Sequence, residues 1–294
     1  MIGALRRRLV ERFWSRRFRQ TTGRGEILRT WMHEPLVRRA INRRITGDEH
    51  CWPMDWFVRQ WCTHNGAFQP FDRGLSLGCG DGHLERDVMS KGICRSLLGI
   101  DLSTEAVAQA NRAAAEAGFE TLEYRRGDMN QLDLGDERFD IVFFHQSLHH
   151  VAELETCLDE VRRVLKPGGI LYLDELIGPS RDTWQRSMLA DAESAFERLP
   201  RHLQRRQKLD MPVDWRDPSE AIRSGEIVEQ VGQRFEVLER RDYGGHLLAI
   251  IHPFLDPEAL KTPEGEEALA SLVAEEDSLL EAGRGSFYAV MVAR

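Results

Sequence analysis

From Gly74 onward, short apolar runs alternate with helical patterns. Leu75–Leu77 is a short apolar strand ending in glycines, and His83–Lys91 reads as a helix. Ser96–Ile100 is a second strand that ends at Asp101. Ser103 is placed to cap the next helix, and Glu105 sits in its first turn, where negative charge meets the positive end of the helix dipole. That alanine-rich helix meets a natural stop at Gly118. Thr121–Arg125 is a third strand, followed by Gly127-Asp128. Phe139–Phe144 is largely apolar, as in a strand buried on both faces. Leu154, Leu158, Val161 and Leu165 fall on one helical face. Lys166-Pro167-Gly168-Gly169 then reads as the end of that helix and a turn into a fifth strand, Ile170–Leu173. Units of this length predict a parallel sheet with helices on both faces.

The remainder departs from that rhythm. Phe235–Arg240 and Phe287–Val292 are two further strand-like runs. Between them lie an apolar stretch, Leu247–Leu255, and a polar helical pattern, Pro263–Ala282, with Thr262 as its cap and proline at its first position. Residues 178–226 are charge-rich and carry Trp184, Trp215, Pro212 and Pro218, which reads as an insertion. At the N-terminus, Ile2, Leu5, Leu9 and Phe13, with Val10, Trp14 and Phe18, form an apolar stripe at helical spacing, and arginines fill the other face. Trp31, Trp52, Trp56, Trp61 and Phe57 predict that residues 25–65 are also helical and packed. The expected division is a basic helical extension over 1–65, a core over 66–177, the insertion over 178–226 and a completion of the sheet over 227–294.

A chain of 294 residues that is 41 % hydrophobic can bury a sizeable core. It contains no apolar run of membrane-spanning length. The net charge of −8 hides an asymmetry: residues 1–44 hold 13 Arg and three acids, a local +10, so the rest carries −18. An acidic body argues against general nucleic-acid binding. The basic helix suits either that acidic body, an anionic membrane surface or a docking groove. Five cysteines, Cys51, Cys62, Cys79, Cys94 and Cys157, form no CxxC pair and read as reduced thiols. With no apolar stretch of the secretion-signal kind, the expected location is cytoplasmic, with peripheral membrane contact through residues 2–19 as an added expectation.

In an open parallel sheet, ligands bind beyond the carboxyl ends of the strands. The first strand ends in Gly78-Cys79-Gly80-Asp81-Gly82, where glycines let backbone approach a ligand and turn sharply into a helix. Asp101, 23 residues after Gly78, is placed to accept hydrogen bonds from ribose hydroxyls. Asp128-Met129 offers a carboxylate and an apolar face to an adenine ring. The competing pattern is the dinucleotide fingerprint GxGxxG. Here the spacing is GxGxG, with His83 where the third dinucleotide glycine would fall, and GxxxxGK[ST] is absent.

Gly74-Leu75-Ser76-Leu77-Gly78-Cys79-Gly80-Asp81-Gly82 resembles motif I of the class I S-adenosylmethionine-dependent methyltransferases. Leu98-Gly99-Ile100-Asp101-Leu102-Ser103 is similar to their ribose-binding strand end, and Gly127-Asp128-Met129 to their adenine-contacting loop. Phe139-Asp140-Ile141-Val142 through Leu148-His149-His150-Val151 resembles motif IV and the start of the next helix, and Leu165-Lys166-Pro167-Gly168-Gly169 the turn before strand five. The resemblance covers roughly residues 70–175. It implies an α/β Rossmann-like fold with a seven-stranded, mostly parallel sheet whose last strand is antiparallel, plus the helical extension and a lid insertion. It implies S-adenosyl-L-methionine as cofactor, held by Ser76, Gly78, Cys79, Gly80, Gly82, Asp101, Leu102, Asp128, Met129 and His145, and the helical segment over 25–65 is expected to roof it. One position departs from the family pattern: Ser76 stands where an Asp or Glu helps hold the methionine portion of the cofactor.

Methyl transfer is an in-line displacement in which the protein supplies positioning and, for an oxygen acceptor, a base. His145 at the end of strand four and Glu175 after strand five are the expected catalytic residues. His246, Arg223, Ser224 and Trp184 are the expected acceptor-binding residues, Arg223 through an anionic group on the acceptor. No metal is expected; His149-His150 reads as a cap or packing feature. The large lid favours an enclosed small-molecule acceptor over a protein or polynucleotide, and oxygen is the expected site of methylation. A nucleic-acid methyltransferase is the alternative, although His145-Gln146-Ser147-Leu148 stands where an Asn-Pro-Pro-Tyr-type motif would be. A non-catalytic cofactor-binding scaffold is a second alternative.

Overall fold

The computed structural model describes residues 2–22, 30–64 and 67–294, with the side chains of residues 6–19 in the first helix. The side chains of Ile2 and Leu5, and residues 25–29 of the predicted helical segment, lie outside the described residues. The central sheet has seven strands: β1 (Phe71–Leu77), β2 (Cys94–Asp101), β3 (Leu122–Arg126), β4 (Phe139–His145), β5 (Leu165–Leu176), β6 (Val237–Gly244) and β7 (Tyr288–Ala293). Their spatial order is β3-β2-β1-β4-β5-β7-β6. All neighbours pair in parallel except β7, which runs antiparallel to both β5 and β6. The order therefore reverses between β1 and β4, where Leu77 is in register with Phe144, and a ligand crevice is expected beyond that point.

Strand β4 supplies the sheet's dry centre, with Phe139, Ile141, Val142, Phe143 and Phe144 fully buried. Alternate residues feed opposite layers. Leu75, Leu77, Val142 and Phe144 meet the apolar stripe of α6 (Leu154–Val164) and α8 (Ile227–Gly232). Ile141, Phe143 and Tyr172 face the layer containing α2 (Pro35–Thr46), α3 (Pro53–Trp61), α4 (His83–Ser90) and α5 (Thr104–Glu116). Leu154, Leu158 and Val161 of α6 are fully buried, each stabilising by about 1.5–3 kcal/mol relative to exposure. The predicted caps form: Ser103 Oγ accepts from Ala106 N at 3.2 Å, and Thr262 Oγ1 from Gly265 N at 3.1 Å.

Two expectations are corrected. Lys166–Gly169 does not turn between helix and strand. It lies inside β5, whose pairing with β4 shifts register between Phe139 and Ile141, with Gly168 at φ +77° absorbing the irregularity. Residues 30–61, expected over the cofactor, instead pack on a sheet face, where Phe57 meets Tyr172 edge-on at 5.0 Å. The roof is α1 (Ile2–Thr22).

Among the described residues no helix is long and apolar enough to cross a membrane.

Candidate functional site

Strands β1 and β2 place the glycine loop and Asp101 side by side because Leu77 pairs with Ile100. The amides of Gly78 and Cys79 both donate to the Ile100 carbonyl. Gly78 has φ +75°, and a Cβ there would stand 2.4 Å from Ser147 Cβ, so only glycine fits. Gly82, at φ +79°, opens α4, and a Cβ there would meet the Tyr124 hydroxyl at 2.3 Å. Asp101 Oδ2 accepts from Gly80 N at 2.9 Å and Oδ1 from Ser103 N at 2.8 Å. Burial raises its pKa, and these backbone donors offset part of that rise. Asp128, buried, accepts from Asn130 N at 3.0 Å through Oδ1.

These elements enclose a cavity of about 210 Å³, with Gly78, Gly80, Asp101, Leu102, Asp128 and Met129 in its wall. Six of the ten residues expected at the cofactor therefore converge there. Cys79 and Ser76 lie behind the wall, both buried, and His145 lies beyond its edge. The cavity fits S-adenosylmethionine in chemistry: a close-approach glycine cradle, a carboxylate at the end of β2 and a buried carboxylate beside Met129.

Sequence reasoning did not place α1 over this cavity. Val10, Trp14 and Phe18 line it from above. Arg7 Nε lies 3.3 Å from Asp128 Oδ2, Ser15 Oγ is 3.1 Å from Ser103 Oγ, Arg126 pairs with Glu11 at 2.7 Å, and Arg19 pairs with Glu105. The amphipathic pattern was visible; its target was not. Gln146, Ser147 and His150 also line the cavity and were not predicted. Gln146 has φ +52°, an uncommon conformation for a side chain with a Cβ, directly after β4.

Glu175 is corrected. It is fully buried and turned inward: Oε2 accepts from Ser147 N (2.9 Å) and Leu148 N (2.7 Å), and Oε1 from Leu176 N (3.2 Å) and meets His149 Nδ1 at 2.6 Å. Its oxygens are committed to holding the turn Leu148–His150, so it does not face an acceptor. Burial opposes a charge on His149, but Glu175 outweighs it and pushes the pKa up to about 9. His150, half-buried beside His149 and 5.2 Å from Trp14 ring to ring, is held well below the ordinary value, by desolvation first. His149, His150 and Glu220 bring potential metal-ligand atoms within 4.8 Å of one another, with His149 Nδ1 already committed to Glu175.

Arg223 is also corrected. Its guanidinium makes two 2.6 Å bonds to Glu155 and two more to Glu226, and donates to the Ala152 carbonyl at 3.0 Å. Its donors are spent on bracing the insertion. Ser224 is fully buried and donates to the Pro179 carbonyl at 3.1 Å, which ties it to the insertion. Trp184 and His246 meet at Phe287, at ring separations of 5.3 and 6.1 Å. Neither ring nitrogen of the buried His246 has a hydrogen-bond partner among the described residues.

His145 ends β4 with its side chain 47 % exposed. Its Nε2 lies 3.7 Å from Asp174 Oδ2. Asp174 Oδ1 accepts from the Tyr243 hydroxyl at 2.6 Å and from Gln146 Nε2 at 3.1 Å. The imidazole and carboxylate thus stand one residue from the cavity wall at Gln146, held by strands β4, β5 and β6.

Residues 75–173 match the methyltransferase domain family. The chain is 28 % identical over 196 residues to a ubiquinone biosynthesis O-methyltransferase of Agrobacterium fabrum, covering 64 % of this chain and 75 % of that protein. It is 31 % identical over 163 residues to an uncharacterized methyltransferase of Synechocystis, covering 52 % and 69 %. The solved structure of Haemonchus contortus phosphoethanolamine N-methyltransferase 2 with S-adenosyl-L-methionine matches the fold, with a TM-score of 0.50 and 17 % identity over 94 % of this chain and 59 % of that one. With a seven-stranded, mostly parallel sheet, a glycine cradle and two carboxylates converging on one cavity, the chain belongs to the class I methyltransferases, which use S-adenosylmethionine as methyl donor.

Proposed function

We propose that this enzyme methylates a hydroxyl group of a small molecule, with His145 as the proton acceptor. The observation that carries the reading is the His145–Asp174 pair at the carboxyl end of β4, with an exposed imidazole backed by an anchored carboxylate. A hydroxyl is a poor nucleophile until its proton begins to leave, and an imidazole backed by a carboxylate can accept that proton. Asp174 stabilises the resulting imidazolium, and Tyr243 and Gln146 hold Asp174 in place. The bound cofactor supplies an electrophilic methyl and a good leaving group. Asp101 and the Gly78–Gly82 loop position it. Relatives named ubiquinone biosynthesis O-methyltransferases support an oxygen acceptor.

The test is turnover of hydroxylated small molecules, read as S-adenosylhomocysteine release, in the wild type and His145→Gln. The expected loss in kcat is about 10²-fold or more, with S-adenosylhomocysteine affinity little changed. Full activity in His145→Gln, or methylation confined to nucleic acid, overturns the reading.

A further inference from the structure

Three described glutamates are fully buried: Glu85, Glu175 and Glu276. Two are surrounded by donors. Glu175 is held as described, and Glu276 Oε1 accepts from the amides of Gly245, Leu247 and Leu248 while Oε2 meets Arg44 at 2.7 Å. Glu85 is the exception: among the described residues neither of its oxygens meets a donor in good hydrogen-bond geometry, and the Ser76 hydroxyl beside it offsets only part of the cost of its burial. A buried carboxylate with no donor is costly, and proteins hold such groups where a ligand or cation completes them.

The position of Glu85 says which ligand. It lies in the first turn of α4, directly after the glycine loop, next to Ser76 on β1. Gly78 and Gly80 form the cavity wall, while Cys79 between them is buried and feels the Glu85 charge. Glu85 therefore stands behind the part of the loop that backbone geometry opens to a ligand. Its charge is weakly opposed: burial pushes its pKa up to about 7, and the Ser76 hydroxyl, its own amide and Arg86 offset only part of this, while Asp81 adds to the rise. A single ammonium brought to this wall would supply the missing donor and cation together.

We propose that Glu85 binds the ammonium group at the amino-acid end of S-adenosylmethionine. The carboxylate that Ser76 lacks on the strand comes instead from the helix, and the small Ser76 side chain leaves room for it. This rests on reading the cavity as the cofactor site.

The experiment is calorimetric binding of S-adenosylhomocysteine and of 5′-methylthioadenosine, which lacks the amino-acid end, to wild type, Glu85→Gln and the double variant Ser76→Asp/Glu85→Gln. The expected result for Glu85→Gln is loss of about tenfold or more in S-adenosylhomocysteine affinity, with 5′-methylthioadenosine affinity unchanged. The double variant is expected to recover most of the loss. Unaltered S-adenosylhomocysteine binding in Glu85→Gln, or equal loss of both ligands, overturns the proposal. A wild type that binds neither ligand instead sinks the reading of the cavity itself.

Discussion

At the scale of single residues, a buried carboxylate is as stable as the donors around it allow, and Glu85 and Glu175 mark the two extremes. Glu175 spends every oxygen on the turn that carries His149 and His150. Glu85 spends none. The stability consequence of Glu85 has a definite sign. Its value in the folded protein is raised from the ordinary 4.5 to about 7, so the fold favours the protonated acid. Stability is then highest at low pH and is lost as pH rises from about 4.5 through 7. Replacing it with the neutral isostere should stabilise the ligand-free protein by about 3 kcal/mol at pH 8, with the gain fading toward pH 5. Urea unfolding at the two pH values measures this, and a gain that does not depend on pH would contradict it. A residue whose removal stabilises the fold while weakening ligand binding is one retained for the ligand.

At the scale of elements, α1 is the part whose placement changes how the site works. Its apolar side closes the cavity through Val10, Trp14 and Phe18, and Arg7 occupies one oxygen of Asp128. Because Val10, Trp14 and Phe18 stand over the cavity, movement of the helix is expected to accompany entry and exit of a nucleoside ligand. Arg7→Ala removes one tie and should raise both association and dissociation rates of S-adenosylhomocysteine by roughly threefold or more, measured by stopped-flow tryptophan fluorescence. Unchanged rates would mean that α1 presents no barrier.

At the scale of the whole molecule, the acceptor side is assembled by long-range ties between the N-terminal helices and the end of the chain. Arg44 of α2 reaches Glu276 and Asp277 of α10 (Pro263–Glu281), each at 2.7 Å, and donates to the Tyr243 carbonyl at 2.9 Å. Glu276 in turn holds the amides after Gly244. Tyr243, which anchors Asp174, stacks on Trp31 and Tyr288. Arg44→Met leaves Glu276 buried without its cation and should cost about 3–5 kcal/mol in urea unfolding. A cost under about 1 kcal/mol would show that the three backbone donors suffice.

The succession of strands and helices, the glycine cradle with its two following carboxylates and the caps at Ser103 and Thr262 were legible in the sequence because each depends on local chemistry. Hydrophobic period sets strand or helix, a positive φ demands glycine, and a cap needs its oxygen next to the first free amides. Asp101 and Asp128 came with them because, in a parallel sheet, the carboxyl ends of the strands and the loops that follow them border the ligand crevice. What a side chain does beyond its own element depends on neighbours distant in the chain, and only the tertiary structure decided that. It turned Glu175 inward to its donors, spent Arg223 on Glu155 and Glu226, laid α1 rather than residues 30–61 over the cavity, and set Glu85 without a partner beside Ser76. A charged side chain on one strand or helix reads alike in sequence whether a long-range donor awaits it or not, and burial with its available partners determines whether it braces the fold or is left for a ligand.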